Sequence, residues 1–307
     1  MNFVFFLLFF IKFVSSQKQD DDYLNNFQYG DDIVINDDID NDIIYDINRY
    51  DDVEEFFGLK YFSNYLSNYI SNFVSRNLIA CDSTVINKVV DWTNIYTSPV
   101  KSAGFCLSSG WAFAAVDQIE SDTIRMHGAG YKYVLSVQQL LDCVSYNDGC
   151  GGGKIEQSYN YLLVNGIEQS NNYPYSSYFG VAKICTQHPS LAVVKLSGYY
   201  NFLKGNEGCM ASYVQKNGPI TVCLSTSISW FTYTGGVMTL NSCPATNVIN
   251  HCVQVVGVYP NVNGGYWKLK NSFGTVWGEN GHIRIAYGSN VCNIINNPIY
   301  TTPIVDL

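Results

Sequence analysis

The stretch Tyr266-Trp-Lys-Leu-Lys-Asn271-Ser-Phe-Gly-Thr-Val-Trp277-Gly-Glu-Asn-Gly281 decides how this chain is read. Its opening residues have the short, apolar, aromatic-rich character of a β-strand, and it closes on a Glu-Asn-Gly turn signal. Similar runs lie on either side: VVKLSGYY from Val193, ITVCLS from Ile220, CVQVVGVY from Cys252 and HIRIAYG from His282. Before about residue 190 the pattern is helical. Residues 111–125 put Ala112, Ala115, Ile119 and Asp122 at helix-like intervals. Ser136, with Gln139 three residues on, opens a second helix, and Ile155–Asn165 forms a third. A helical half at about 103–190 followed by a strand-rich half at about 191–300 predicts an α+β pair of domains with a cleft between them.

With 47% hydrophobic and 14% charged residues among 307, most of the chain can bury a core. The formal charge of −9 is unevenly placed: fourteen of the 26 acids lie between Asp20 and Glu55, and the region from Cys81 on carries twelve acids against twelve Lys+Arg. A neutral body behind an acidic leader has nothing basic with which to neutralise phosphates, which excludes nucleic acid as a partner. Residues 1–16, MNFVFFLLFFIKFVSS, are apolar and close on small residues. A membrane span needs roughly 20 apolar residues, so this reads as a signal peptide, with an uncleaved anchor as the alternative. A secreted, extracellular protein is expected, without membrane contact after signal removal. Residues 17–80 form the acidic leader, in which Phe56, Phe57, Tyr61, Tyr65, Tyr69 and Phe73 recur near helical spacing. Ten cysteines behind a signal peptide imply disulfides. No C-x-x-C occurs, so no metal site is expected. Gly151-Gly-Gly-Lys154 lacks the spacing of a phosphate loop, and no cofactor is expected. His127, His188 and His282 are isolated and read as surface or turn residues.

Three blocks in order carry a resemblance: Pro99-Val-Lys-Ser-Ala-Gly-Phe-Cys106-Leu-Ser-Ser-Gly-Trp111-Ala-Phe113, then Asp148-Gly-Cys150-Gly-Gly-Gly153, then Asn250-His251 with the Tyr266–Gly281 stretch. Together they resemble the papain-like cysteine peptidases from Cys81 to Leu307. The resemblance implies a two-domain fold with a helical left domain, a β-barrel-like right domain and an interdomain cleft. It also implies a mechanism. A Cys thiolate at a helix N-terminus attacks the peptide carbonyl, a His relays the proton, an Asn orients the imidazole, and a Gln helps hold the oxyanion. His251 and Asn271 match the His and Asn.

The other two positions depart from the pattern. Ala103 stands where the oxyanion Gln belongs. The segment between Cys106 and Trp111 is one residue too long, so the nucleophile position falls on Gly110 when counted back from Trp111 and on Ser109 when counted forward from Cys106. Trp111 and Phe113 belong to a core helix, where a one-residue slip rotates every side chain by about 100°, so the extra residue is absorbed more easily in the polar turn 107–109. This places Gly110 at the nucleophile position and Ser109 at the N-cap. The expectation is a catalytically inactive homologue acting as a binding or decoy protein. The alternative is a weak serine-type peptidase using Ser109 with His251 and Asn271.

By the same resemblance, Cys106–Cys150, Cys143–Cys185 and Cys243–Cys292 are bridges. Cys81–Cys209 is a candidate bridge against two unpaired thiols, and Cys223–Cys252 a candidate across a pocket wall against two buried free cysteines. The implied pocket residues are Gly152, Gly153, Lys154, Ile155, Cys223, Asn250, Cys252 and Asn297. The N-terminal Cys81 and the leader resemble the group-one mite allergen proteases, and the missing nucleophile resembles their inactivated paralogues in parasitic mites. Expected partners are extracellular proteins or peptides, including host proteins and cystatin-like inhibitors.

Overall fold

A computed structural model describes residues 78–79, 88–202, 206–244, 246 and 248–305. The chain divides into two units, Met1–Tyr65 and Leu66–Leu307. The first, where the expected signal peptide and most of the expected leader fall, lies outside the described residues, as does Cys81.

The second unit opens with two short strands, β1 (Leu78–Ile79) and β2 (Val90–Asp91). Three helices follow: α1 (Gly110–His127), α2 (Val137–Cys143) and α3 (Ile155–Asn165). Ser136 caps α2, its hydroxyl accepting the Gln139 N–H at 3.0 Å. The strands β3 (Ile167–Glu168) and β4 (Ala192–Phe202) come next, then helix α4 (Glu207–Lys216) and strand β5 (Ile220–Leu224). A one-turn helix α5 (Ile228–Phe231) and strand β6 (Val237–Met238) lead to β7 (His251–Tyr259), β8 (Tyr266–Lys270), β9 (His282–Ala286) and β10 (Ile299–Val305).

The strands follow an open path, β1-β4-β10-β5-β7-β8-β9-β6, with β2 beside β7 and β3 beside β4, so the sheet is not closed into a barrel. Two buried clusters organise the packing. The first gathers α1, α2 and α3 against Val194 and Leu196 of β4 and Ile299 and Val305 of β10. The second fills the space between α4, α5 and strands β5 to β9, around Met210, Trp230, Trp267 and Ile283. α1 packs on both β7 and β10 and is buried from Gly110 to Ile124. An all-round buried helix explains why Asp117, Glu120 and Asp122 on it each have a cationic partner: Lys101, Lys101 and Arg125.

His282, expected at a surface or turn, is instead buried in β9, its Nδ1 within 3.1 Å of the Asn280 carbonyl and its Nε2 without a partner. Burial, with the Lys268 and Lys270 charges, holds its pKa below the ordinary imidazole value. Two elements inside the strand-rich half have weak sequence signals. α4 is interrupted by Gly208 near its start, and β10 contains Pro303. The pairing of β10 with β4 shifts register between Thr302 and Pro303, which is where a strand tolerates proline.

The glycines of the Trp277–Gly281 turn answer to backbone geometry. Gly281 has φ +83°, and a Cβ there would lie 2.5 Å from Val100 Cγ1. Its carbonyl accepts the Asn271 N–H at 3.0 Å. Gly281→Ala is therefore expected to destabilise the fold by about 2 kcal/mol or more. Urea denaturation checks this, and a loss under about 0.5 kcal/mol would mean that Val100 yields freely.

Candidate active site

The helix α1 begins where the polar turn Cys106–Ser109 ends. Ser109 stands at its N-cap but does not cap it: the hydroxyl donates to the Cys106 carbonyl, and the residue is fully buried. Gly110 is the first helical residue. A Cβ built on Gly110 would lie 2.6 Å from Nδ1 and 2.9 Å from Cε1 of His251, and 3.1 Å from the Cys252 carbonyl oxygen. The extra residue is thus absorbed before the helix, and Gly110 faces the imidazole. Ser109 makes its side-chain hydrogen bond to Cys106 rather than to His251.

His251 opens β7, and Asn271 directly follows β8. The imidazole Nε2 and Asn271 Oδ1 are 2.8 Å apart. The Ser272 N–H donates to the same oxygen at 2.9 Å, which fixes the amide orientation. An amide oxygen only accepts, so Nε2 carries the proton and Nδ1 of the neutral ring is bare. Burial lowers the His251 pKa below its ordinary value, and the Asn271 hydrogen bond opposes that shift in part. Aromatic rings close round the imidazole. Trp230 meets it edge-on at 5.9 Å and Phe273 lies tilted at 5.3 Å between ring centroids. Phe273 in turn stacks on Phe231 at 5.6 Å and meets Trp277 edge-on at 5.4 Å, so the shield beside Asn271 is a cluster rather than one ring. The short helix α5 supplies Trp230 and Phe231; only their aromatic identity marked them in the sequence.

Ala103 is buried, its N–H donating to the Ser272 carbonyl at 2.9 Å and its carbonyl accepting from Tyr175 Oη at 2.8 Å. Burial raises the Tyr175 hydroxyl to about 12, which keeps it a donor. The Ala103 methyl has no hydrogen-bonding group to offer an oxyanion.

The residues expected to line the pocket lie in four places. Asn147 clamps the segment after Gly153 by accepting the Lys154 N–H and donating to the Lys154 carbonyl, each at 3.0 Å. Gly152, Gly153 and Lys154 are at least partly exposed, while Ile155 is buried at the start of α3. Asn250 is exposed, but its side chain is committed to Thr226, accepting the N–H and hydroxyl at 2.8 Å and donating to the carbonyl at 3.0 Å. Asn297 donates to Glu156, a partner next to Ile155 that the sequence did not single out. Cys223 and Cys252 are directly opposed on β5 and β7 and joined by a disulfide with Cα atoms 4.0 Å apart. Both are buried in one cluster with Ile155 and Tyr159.

The other described disulfides are Cys106–Cys150, Cys143–Cys185 and Cys243–Cys292. Cys209 is also disulfide-bonded. No cysteine among the described residues is a free thiol. No group of metal-ligating side chains and no helix long and apolar enough to cross a membrane occurs among them.

Residues 86–302 match the papain family of cysteine proteases. Cysteine proteinase A of Leishmania mexicana is 37% identical over 218 residues, a match covering 69% of this chain and 59% of that protein. Cysteine proteinase B of the same organism is 36% identical over 223 residues, 71% of this chain and 48% of the relative. The chain thus spans less than two thirds of the length of these relatives. Among solved structures, digestive procathepsin L2 of Tenebrio molitor larval midgut is similar at a TM-score of 0.67 and 34% identity, covering 73% of each chain. Procathepsin L 3 of the same source has a TM-score of 0.65 at 32% identity, covering 77% of this chain and 79% of its own. The chain belongs to the papain family, with its papain-like α+β fold.

A buried neutral His251 should titrate with a midpoint below 6.5 in imidazole NMR. Because the Asn271 hydrogen bond favours the protonated ring, Asn271→Ala should move the midpoint lower still. The depressed pKa also means that the unfolded chain binds more protons as pH falls below about 6.5, so stability declines in that direction. A midpoint at or above 6.5 would show that the ring is hydrated or charged-paired rather than buried as described.

Proposed function

We propose that this protein is a secreted papain-family homologue without peptidase activity, whose cleft binds extracellular peptides or protein segments and does not cut them. The observation that carries this reading is Gly110 against His251: a side chain begun there would run into Nδ1 at 2.6 Å. The imidazole occupies the space where a nucleophile would start. The lack of a free thiol among the described residues and the buried, backbone-bonded Ser109 support the same reading. So does Ala103, which gives no side-chain donor to a developing oxyanion. In comparable triads losing the nucleophile costs about 10⁶ in rate and losing one oxyanion donor about 10²–10³. The surrounding frame is meanwhile retained, with the His251–Asn271 pair and its aromatic shield in place. Partners of this kind include host proteins and cystatin-like inhibitors, and secretion fits a chain whose described cysteines are all bridged.

Hydrolysis of a panel of fluorogenic dipeptide substrates tests the reading. Wild type is expected to give no turnover above about 10⁻⁵ of an active papain-family enzyme. Gly110→Cys should restore only a small fraction, because the new Cβ displaces His251 from its bond to Asn271. Turnover by wild type that disappears in Ser109→Ala would overturn the reading in favour of a serine-type hydrolase.

A further inference from the structure

The start of α1 holds more unused hydrogen-bonding capacity than a closed helix end should. Ala112 N–H and Phe113 N–H return to the Ser109 carbonyl, but the N–H groups of Gly110 and Trp111 have no partner among the described residues. Ser109 gives no side-chain cap, and no acid occurs in the first turn of this 18-residue helix. A second polar group is aimed at the same place. His251, 7% exposed, spends Nε2 on Asn271 and leaves Nδ1 unbonded beside Gly110. Glycine at this position adds no side chain of its own, so the imidazole stands directly beside the helix end.

Two free N–H groups at the positive end of a long helix, beside an imidazole that can take a proton, form a site for an anion. The cleft that contains them is the one read above as a peptide site, so the anion best matched to it is one that a peptide carries at its own end. We infer that the protein captures peptides by their C-terminal carboxylate, which lodges at the N-terminus of α1 against the Gly110 and Trp111 N–H groups and the protonated Nδ1 of His251. This inference rests on the peptide-binding reading and narrows it to peptides that have already been cut.

The physical reason is a change of charge. A thiolate at the start of this helix would repel a carboxylate product; glycine removes the repulsion and keeps the helix field and the imidazole. Binding requires a proton, because neutral His251 has its hydrogen on Nε2 and presents a lone pair at Nδ1. The carboxylate itself stays ionised above about pH 5. Among the described residues no charged side chain competes for the ring. Around it stand Gly110 of α1, Leu224 of β5, Trp230 of α5, and Asn271 and Phe273 beyond β8. The neighbouring Lys270 is held by Asp117 and Ser98. Burial keeps the free ring neutral, and an arriving carboxylate reverses that preference.

The test is equilibrium dialysis of the intact protein against two pools of N-acetyl pentapeptides, randomised at each residue, one ending in a free carboxylate and the other in a carboxamide, with retention read by mass spectrometry. Retention of the free-acid pool at least tenfold above the amide pool, growing as pH is lowered from 8 to 6, is the expected result. Equal retention of both pools would overturn the carboxylate site and leave the peptide-binding reading standing. Retention of neither at any pH would overturn both. Stronger retention of the amide pool would also overturn the inference. In His251→Phe the free-acid preference should lose its pH dependence, and a preference that still grows toward pH 6 would place the proton on another group.

Discussion

Four charged side chains meet almost out of reach of water beneath the site, and the geometry above them depends on their meeting. Lys101 Nζ lies 2.7 Å from Asp117 Oδ1 and 2.5 Å from Glu120 Oε2, and Lys270 Nζ lies 2.9 Å from the same Asp117 oxygen. Both lysines also reach Ser98 Oγ at 3.1 Å. Burial works against every charge here. The two ammonium groups nonetheless hold Asp117 below its ordinary pKa, and the two carboxylates raise Lys101. Lys270 is pulled down by its burial, with Lys101 adding to the effect. Replacing such a set by apolar side chains is often neutral for stability, whereas removing one member leaves a buried charge unpaired at about 3–5 kcal/mol. What the cluster fixes is relative position. Lys101 precedes the turn that leads into α1, Asp117 and Glu120 lie on α1, and Lys270 sits one residue before Asn271. The start of the helix and the end of β8 therefore cannot slide past each other, and Gly110 stays opposite the His251–Asn271 pair.

That constraint also accounts for how the inserted residue is handled. A slip of α1 by one position would turn Asp117 and Glu120 away from Lys101 and Lys270 and Trp111 away from the Gly149 carbonyl, which its Nε1 reaches at 3.1 Å. No comparable set of contacts holds Leu107 and Ser108, which are exposed. The length difference is therefore taken up in the turn, and Ser109 is drawn back onto the Cys106 carbonyl.

Much of this was legible in the residues, and the exceptions have physical causes. The amphipathic and apolar periods located α1, α2, α3, β4, β5, β7, β8 and β9 because each of these elements buries a face whose spacing is visible in one dimension. β10 was not visible, since Pro303 and the neighbouring threonines read as a tail; its strand character comes from β4, which pairs with it on both sides of a register shift. α4 was hidden among strands, with Gly208 near its start, although Asn206 caps it through the Cys209 N–H. His282 reads as an isolated polar residue, and its burial follows from the pairing of β9 with β8, which no local pattern encodes. At the site, the identities of His251, Asn271 and Gly110 could be placed by their motifs. The closeness of Gly110 to the ring and the commitment of Ser109 to Cys106 are three-dimensional facts that sequence spacing does not carry.

The Cys223–Cys252 bridge, one of two alternatives the sequence left open, matters mainly as shape. Disulfides stabilise chiefly by limiting the unfolded chain, and this one encloses a separation of 29 residues, enough for about 3.6 kcal/mol on that account. Yet it joins residues already opposed in the pairing of β5 with β7, so the native register does not depend on it alone. Its location is the more telling property. The two cysteines pack in the buried cluster that also holds Ile155 and Tyr159, and Cys252 directly follows His251 and presents its carbonyl oxygen to Gly110. A rigid cross-strand bridge at that point holds the backbone of β7 where it begins. The position of the imidazole over the helix end is thereby set from two sides, by Asn271 through Nε2 and by the bridged strand through its own main chain.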